Sequence, residues 1–205
     1  MSHVPTIVAM DLEGVLVPEI WIGVAERTGI PELRRTTRDE PDYDKLMHYR
    51  MDILDRHGIR IDTIQEVIAG LDPLPGAKDY LDWVRTQAQL IILSDTFAQF
   101  AQPLMKKLGW PTIFCHTLNI DAAGRIAGYQ LRMPDQKRAA IEAFRSIKFR
   151  TIAIGDSYND TSMLGAADKG ILFHPSETVK RDFPQFTVVE NHVDLKTQVA
   201  AFLGA

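Results

Sequence analysis

The chain has 205 residues, 45% of them hydrophobic, 24% charged and 8% aromatic, which suits one sizeable core with a modest insertion and excludes a disordered or fibrous protein. A formal net charge of -4 and the lack of any Lys/Arg-rich run give no electrostatic basis for binding nucleic acid or an anionic membrane. No apolar run reaches the roughly 18 residues of a membrane span, and MSHVPTIVAM has no basic region ahead of a long apolar stretch, so the expected location is cytoplasmic.

In chain order, TIVAM reads as a buried strand that ends on two carboxylates, Asp11 and Glu13, just before Gly14. Residues 17–73 then exceed by far a strand-to-helix loop of about 2–6 residues and must hold structure of their own. Ile20, Val24 and Ala25 predict a helix ending near Gly29. Tyr43, Leu46, Met47, Arg50, Met51 and Leu54 lie at helical spacing before Gly58, and Asp62 reads as the cap of TIQEVIAG. The expected organisation is a small helical cap domain, 17–73, inserted into a core domain formed by 1–16 and 74–205.

PLPGAKDYLDWVRTQ predicts a helix and LIILS a strand, followed by TFAQFAQPLMKKLG as a helix capped by Thr96, kinked or restarted at Pro103 and stopped by Gly109. TIFC is a strand carrying Cys115, the single cysteine, which cannot form an internal disulfide and reads as a small buried apolar side chain. TLNIDAAGRIAGYQL predicts a β-hairpin. DQKRAAIEAF is a helix opened by Lys137; TIAIG, GILF and FTVVE are strands; HVDLKTQVAAFLG is a terminal helix. The alternation predicts an α/β fold with a mostly parallel sheet covered by helices, the helical insertion and the hairpin being its two departures.

The reactive crevice of such a sheet lies beyond the carboxyl ends of its strands. There the chain places Asp11 and Glu13, then Ser94, Asp95 and Thr96, then Asp156, Asn159 and Asp160. Several carboxylates at one edge repel one another unless a cation relieves them, and a hard oxygen-rich set suits Mg²⁺, with Asp11, Asp156 and the Glu13 carbonyl as ligands. Asp11 is then a candidate nucleophile toward phosphorus, Glu13 the acid/base, and Ser94 and Lys137 the holders of phosphoryl oxygens.

DLEGV, the hydroxyl-bearing end of LIILSDT, Lys137 and GDSYND resemble, in order, the four motifs of the haloacid dehalogenase superfamily of phosphohydrolases and phosphotransferases. The resemblance covers essentially the whole chain. It implies a Rossmann-like core, Asp11 as nucleophile, Mg²⁺ held by Asp11, Asp156 and the Glu13 carbonyl, and Asn159 and Asp160 in support of that site. Within the superfamily the chain is most similar to phosphoserine phosphatases. Glu19, in PEIW, stands where they take the substrate ammonium, Arg50 where they take its carboxylate, and Tyr43 where an aromatic side chain lines the pocket.

Two positions depart from that pattern: Glu13 replaces the usual aspartate, and Ser94-Asp95-Thr96 replaces a serine followed by two glycines. DLEGVLVPEIW with LSDT resembles more specifically the phosphoserine:homoserine phosphotransferases, which implies phosphoserine as donor and homoserine beside water as acceptor. A phosphatase for another small phosphorylated metabolite and a catalytically silent binding module are the alternatives. Asp95 reads either as a substrate contact or as the cap of its helix; taken alone, Ser94 also reads as a helix cap, Lys137, Arg50 and Glu19 as solvated helix residues, and Tyr43 as packing. His57, His116 and His174 lack metal-ligand spacing and read as structural or surface residues. Oligomeric state is left open.

Overall fold

Strand β1 (Thr6–Met10) is buried along its whole length at the middle of a seven-stranded sheet, with Ile7 and Ala9 facing one apolar layer and Val8 and Met10 the other. The computed structural model describes residues 4–36, 39–40 and 42–204; the first three residues of MSHVPTIVAM lie outside them. The remaining strands are β2 (Gln89–Phe97), β3 (Ile113–Ile120), β4 (Ile126–Gln130), β5 (Arg150–Gly155), β6 (Lys169–Phe173) and β7 (Thr187–Val189). Their order is β4-β3-β2-β1-β5-β6-β7, parallel throughout except for the antiparallel pairing of β3 with β4.

Helices cover both faces. Core helices α4 (Ala77–Gln87), α5 (Ala98–Lys107) and α9 (His192–Leu203) pack on the layer that includes Val8, Met10, Ile92, Ile152 and Ile154. On the opposite layer, α6 (Gln136–Ser146), α7 (Thr161–Ala166) and α8 (Glu177–Asp182) contribute Ala140, Ile141, Met163, Leu164 and Val179 against Ala9, Leu93 and Ala153. This two-sided burial is why the parallel strands read as continuous apolar runs rather than alternating ones.

Between β1 and α4 lie α1 (Ile20–Thr28), a 3₁₀ turn (Pro31–Arg34), α2 (Tyr43–Arg56) and α3 (Ile61–Ala69). Gly29, with φ 69°, ends α1 in the left-handed conformation that glycine adopts without a Cβ penalty. Apolar side chains of α1 and α3, among them Val24, Ile64 and Ile68, join the same layer as α4 and α5. None of the described helices is long and apolar enough to cross a membrane.

Several local expectations differ from the structure. TIFC and the first arm of the hairpin are one continuous strand, β3, whose early residues pair with β2 and whose late residues pair with β4. Thr96 does not cap a helix: β2 runs through it to Phe97, and α5 starts without a side-chain cap. Asp62 lies in the first turn of α3 rather than at its cap, which is Arg60. Pro103 does not restart a helix: α5 runs through it without a break. Proline leaves the carbonyl four residues back without its donor, and here the Gln65 Nε2 of α3 supplies it, 2.8 Å from the Gln99 oxygen. The Gln99 side chain in turn accepts from Leu118 N–H and donates to the Leu118 carbonyl, so α3, α5 and β3 are tied at one point.

Candidate active site

The carboxyl ends of β1, β2 and β5 bring Asp11, Ser94, Asp95 and Asp156 to the floor of a cavity of about 830 Å³. Glu13 and Asn159 line it from the loops that follow β1 and β5, and Glu19, Trp21, Tyr43 and Arg50 line it from the helical insertion. Lys137, at the start of α6, is 2% exposed beneath that floor. The candidate catalytic, substrate and metal-site residues named from the sequence are therefore at or directly beside one cavity, which separate stretches of the chain assemble.

Lys137 Nζ lies 2.9 Å from Asp11 Oδ2, 2.7 Å from Asp160 Oδ1 and 3.4 Å from Asp95 Oδ2. Burial opposes its charge, but these carboxylates overcome that and hold it well above the usual lysine range. Asp160 is fully buried and its other oxygen accepts from the N–H groups of Asp156 and Ser157 at 3.0 and 3.2 Å. A Cβ on Gly155 would lie 2.2 Å from the Asp160 Cβ, so only glycine lets that loop close so tightly. Asp160 thus serves the loop and the lysine, leaving Asp11 and Asp156 as the more open carboxylates.

Asp11, Asp156 and Asp160 each offer an oxygen within 4.8 Å of the others. Gly14, at φ +75°, brings the turn after β1 so close that a Cβ there would sit 2.5 Å from Asp156 Cγ. Burial, then the crowding of Asp160, Asp156 and Asp95, pushes the Asp11 carboxyl well above its usual range. Burial, then Asp160, pushes Asp156 up to about 7. An all-oxygen set whose charges raise one another's proton affinity fits a hard divalent cation, which would relieve the same repulsion.

Glu13 is half-buried and its Oε2 accepts from the Ile20 N–H, the first of α1, at 2.9 Å. Burial, then Glu19, pushes its carboxyl up to about 7 against the Ile20 N–H bond. Ser94 is 1% exposed, and its Oγ accepts from Thr96 N–H at 3.2 Å, leaving its own proton to donate. Asp95 is the most heavily held acid in the cavity. Asn159 Nδ2 donates to it at 3.0 Å and Gln136 Nε2 at 3.2 Å, and His116 Nε2 lies 3.5 Å away. Burial would raise its carboxyl, but Lys137 and these donors hold it far below the usual range. Tyr43 Oη donates to the Asp95 carbonyl at 3.3 Å, which links α2 to the same strand end.

At the far end, Arg50 is only 6% exposed. It donates from one terminal nitrogen to the Arg35 carbonyl at 2.8 Å and stacks over the Trp21 ring at 4.4 Å. Its Nε–H has no hydrogen-bond partner among the described residues. Burial lowers its guanidinium to about 10.

Residues 5–168 match the family model of the haloacid dehalogenase-like hydrolases. The chain belongs to that family. It is 58% identical over 192 residues to the phosphoserine phosphatase ThrH of Pseudomonas aeruginosa, with 94% of each chain covered. To a phosphoserine phosphatase of Pseudomonas syringae pv. tomato it is 56% identical, over 94% of this chain and 81% of that one. Among solved structures, a substrate-bound phosphoserine phosphatase superposes with a TM-score of 0.75 at 18% identity, covering 92% of this chain and 94% of that one, a likeness of fold.

Trp21, His116 and Gln136 are members of this neighbourhood that sequence reasoning did not assign. His116 reads as structural, and it is indeed buried, its Nδ1 accepting from Arg132 N–H at 3.1 Å while Nε2 faces Asp95. Gln136 had one signal, its place beside Lys137 at the start of a helix. Trp21 and Arg50 lie on separate helices, so no spacing links them.

Proposed function

We propose that the protein is a Mg²⁺-dependent phosphoserine phosphatase that also passes the phosphoryl group to homoserine. The observation that carries the substrate reading is the pairing of ends in one cavity: Asp11 and Ser94 at the floor, Glu19 and an under-partnered, buried Arg50 at the roof. A guanidinium desolvated without an ion-pair partner is costly, and a carboxylate brought by the substrate offsets that cost. Glu19 supplies the complementary anion for an ammonium group. The insertion 17–73 is then the cap that carries amino-acid recognition, and 1–16 with 74–205 is the core that carries the chemistry.

In this account Asp11 and Asp156, with the Glu13 carbonyl, hold Mg²⁺, which when bound screens the negative charge between phosphate and nucleophile. Asp160 supports this set by fixing Lys137 and the loop that carries Asp156. Leu12 N–H donates to Asp11 Oδ1 at 2.7 Å and orients the carboxylate. An Asp11 oxygen forms the bond to phosphorus as the phosphorus–oxygen bond of phosphoserine breaks, and Glu13 gives its proton to the departing serine oxygen. Ser94 and Lys137 donate to the phosphoryl oxygens, and Asn159 and Asp95, bonded to each other, line the same end of the cavity. Water or the homoserine hydroxyl then attacks phospho-Asp11 while Glu13 takes up the proton, restoring the Asp11 carboxylate and the protonated Glu13. A group that must lose and regain one proton per cycle works best with a pKa near the working pH, which fits Glu13 at about 7.

Incubating the protein with Mg²⁺ and phosphoserine, with and without homoserine, and following inorganic phosphate and phosphohomoserine together tests this reading. Both products are expected. Phosphate alone would leave a plain phosphatase, and neither product would overturn the assignment.

A further inference from the structure

We propose that Trp21 is a positioning residue that fixes Arg50 for a substrate carboxylate, so that the aromatic contact rather than an ion pair sets this end of the specificity. The proposal rests on the reading of Arg50 given above. Arg50 is held by little else: the Arg35 carbonyl takes one terminal nitrogen at 2.8 Å, and the other reaches only the Met47 sulfur at 3.9 Å. Among the described residues Glu13 and Glu19 favour its charge from beyond ion-pair distance, and its Nε–H is unpaired. A long side chain held so sparsely has rotamer freedom to lose, and a ring face at 4.4 Å removes it while stabilising the charge.

The Trp21 ring is itself fixed from the core. Phe100 of α5 meets it edge-on at 5.4 Å and 72°, and Phe97, the last residue of β2, meets Phe100 at 5.7 Å and 88°. Phe97 is in the same strand as Ser94. The sequence Ser94, Phe97, Phe100, Trp21, Arg50 therefore joins the phosphoryl end of the cavity to its carboxylate end through packed rings. It ties α1 of the insertion to β2 and α5 of the core at the point where Trp21 meets Arg50. A phosphorylated amino acid whose carboxylate stands at that span uses Arg50; a phosphoester without a carboxylate does not.

The test measures steady-state kinetics of W21L, W21F and R50A on O-phosphoserine and on phosphoethanolamine, with thermal melts to establish folding. In W21L the KM for phosphoserine is expected to rise roughly tenfold with kcat held within about twofold, and the KM for phosphoethanolamine to stay put. W21F, which keeps a ring face, restores most of the phosphoserine KM. An equal rise for both substrates in W21L would overturn the proposal. So would an unchanged phosphoserine KM in W21L where R50A raises it, which leaves the Arg50 reading intact. If R50A itself leaves the phosphoserine KM unchanged, the reading of Arg50 and the inference fail together.

Discussion

The Glu13 carboxylate accepts the N–H of Ile20 at 2.9 Å, so the side chain two residues after Asp11 also caps the first helix of the insertion. An aspartate at this position is shorter by about one carbon–carbon bond, roughly 1.5 Å, and from the same backbone would fall short of that N–H. Under the proposed function the glutamate has two tasks on one side chain, proton transfer over the cavity and the observed attachment of α1 to the turn after β1.

The two tasks separate by substitution. Glu13→Gln keeps a carbonyl oxygen for Ile20 but cannot carry the proton, so kcat should fall by about 10²–10⁴ with the melting temperature little changed. Glu13→Asp keeps the carboxyl but loses the helix contact, worth about 1 kcal/mol, and should lower Tm by roughly 2–4 °C. It should also shift the partition between phosphate and phosphohomoserine, since the acid sits at a different depth. Tm falling in the glutamine variant and not in the aspartate one would reverse the assignment.

Metal binding and pH are linked through the crowded acids. Glu13 and Asp156, both raised to about 7, bind protons more tightly in the folded chain than in the unfolded one. Their contribution to stability without metal is therefore present at low pH and is lost as pH rises from the unfolded carboxylate range, near 4, through about 7. A divalent cation competes with the Asp156 proton and relieves the repulsion among Asp156, Asp11 and Asp160. The rise in Tm caused by Mg²⁺ should accordingly be larger at pH 8 than at pH 5.5, and an equal rise at both would contradict the electrostatic account.

Gln65 is expected to matter for stability through Pro103. Gln65→Leu removes the donor that replaces the missing proline N–H, leaving the Gln99 carbonyl unpaired at a cost of about 1 kcal/mol or somewhat more. Thermal unfolding of this variant, beside a Gln65→Leu/Pro103→Ala double variant that restores the helical N–H, checks it. Recovery of Tm in the double variant is the expected result, and additive losses would contradict it.

Gly14→Ala should abolish turnover, because a Cβ there meets Asp156 at 2.5 Å and the backbone holds φ +75°. Folding judged by circular dichroism should survive, since the clash is confined to the turn and a flexible carboxylate. Full activity in this variant would show that Asp156 does not have to hold its place.

Much of this arrangement is readable from the chain because strand-end position and residue chemistry agree. Asp11, Ser94 and Asp156 each follow a run of apolar residues buried on both sheet faces, and such runs announce parallel strands whose ends converge. What escaped is set by tertiary contacts that leave no local mark. Thr96 looks like a cap but lies in β2, because pairing with β3 carries the strand on to Phe97. Pro103 looks like a breaker, yet Gln65, distant in sequence, satisfies the carbonyl it strands. Asp160 reads only as an accessory acid, whereas its burial and its bonds to Lys137 and two N–H groups make it the anchor of the lysine. Arg50 is visible as a cation at helical spacing, but its ring contact with Trp21 exists only once α1 and α2 are folded together.

The central claim is that phosphorus passes through Asp11. Acid quenching of the protein during turnover of phosphoserine with Mg²⁺, followed by peptide mass spectrometry, tests it directly. The account predicts one added phosphoryl group on the peptide containing DLEGV, localised to Asp11, lost on addition of homoserine or on standing, and absent in Asp11→Asn together with product formation. Phosphate release by Asp11→Asn at the parent rate, with no phosphoryl group on that peptide in the parent protein, would contradict it.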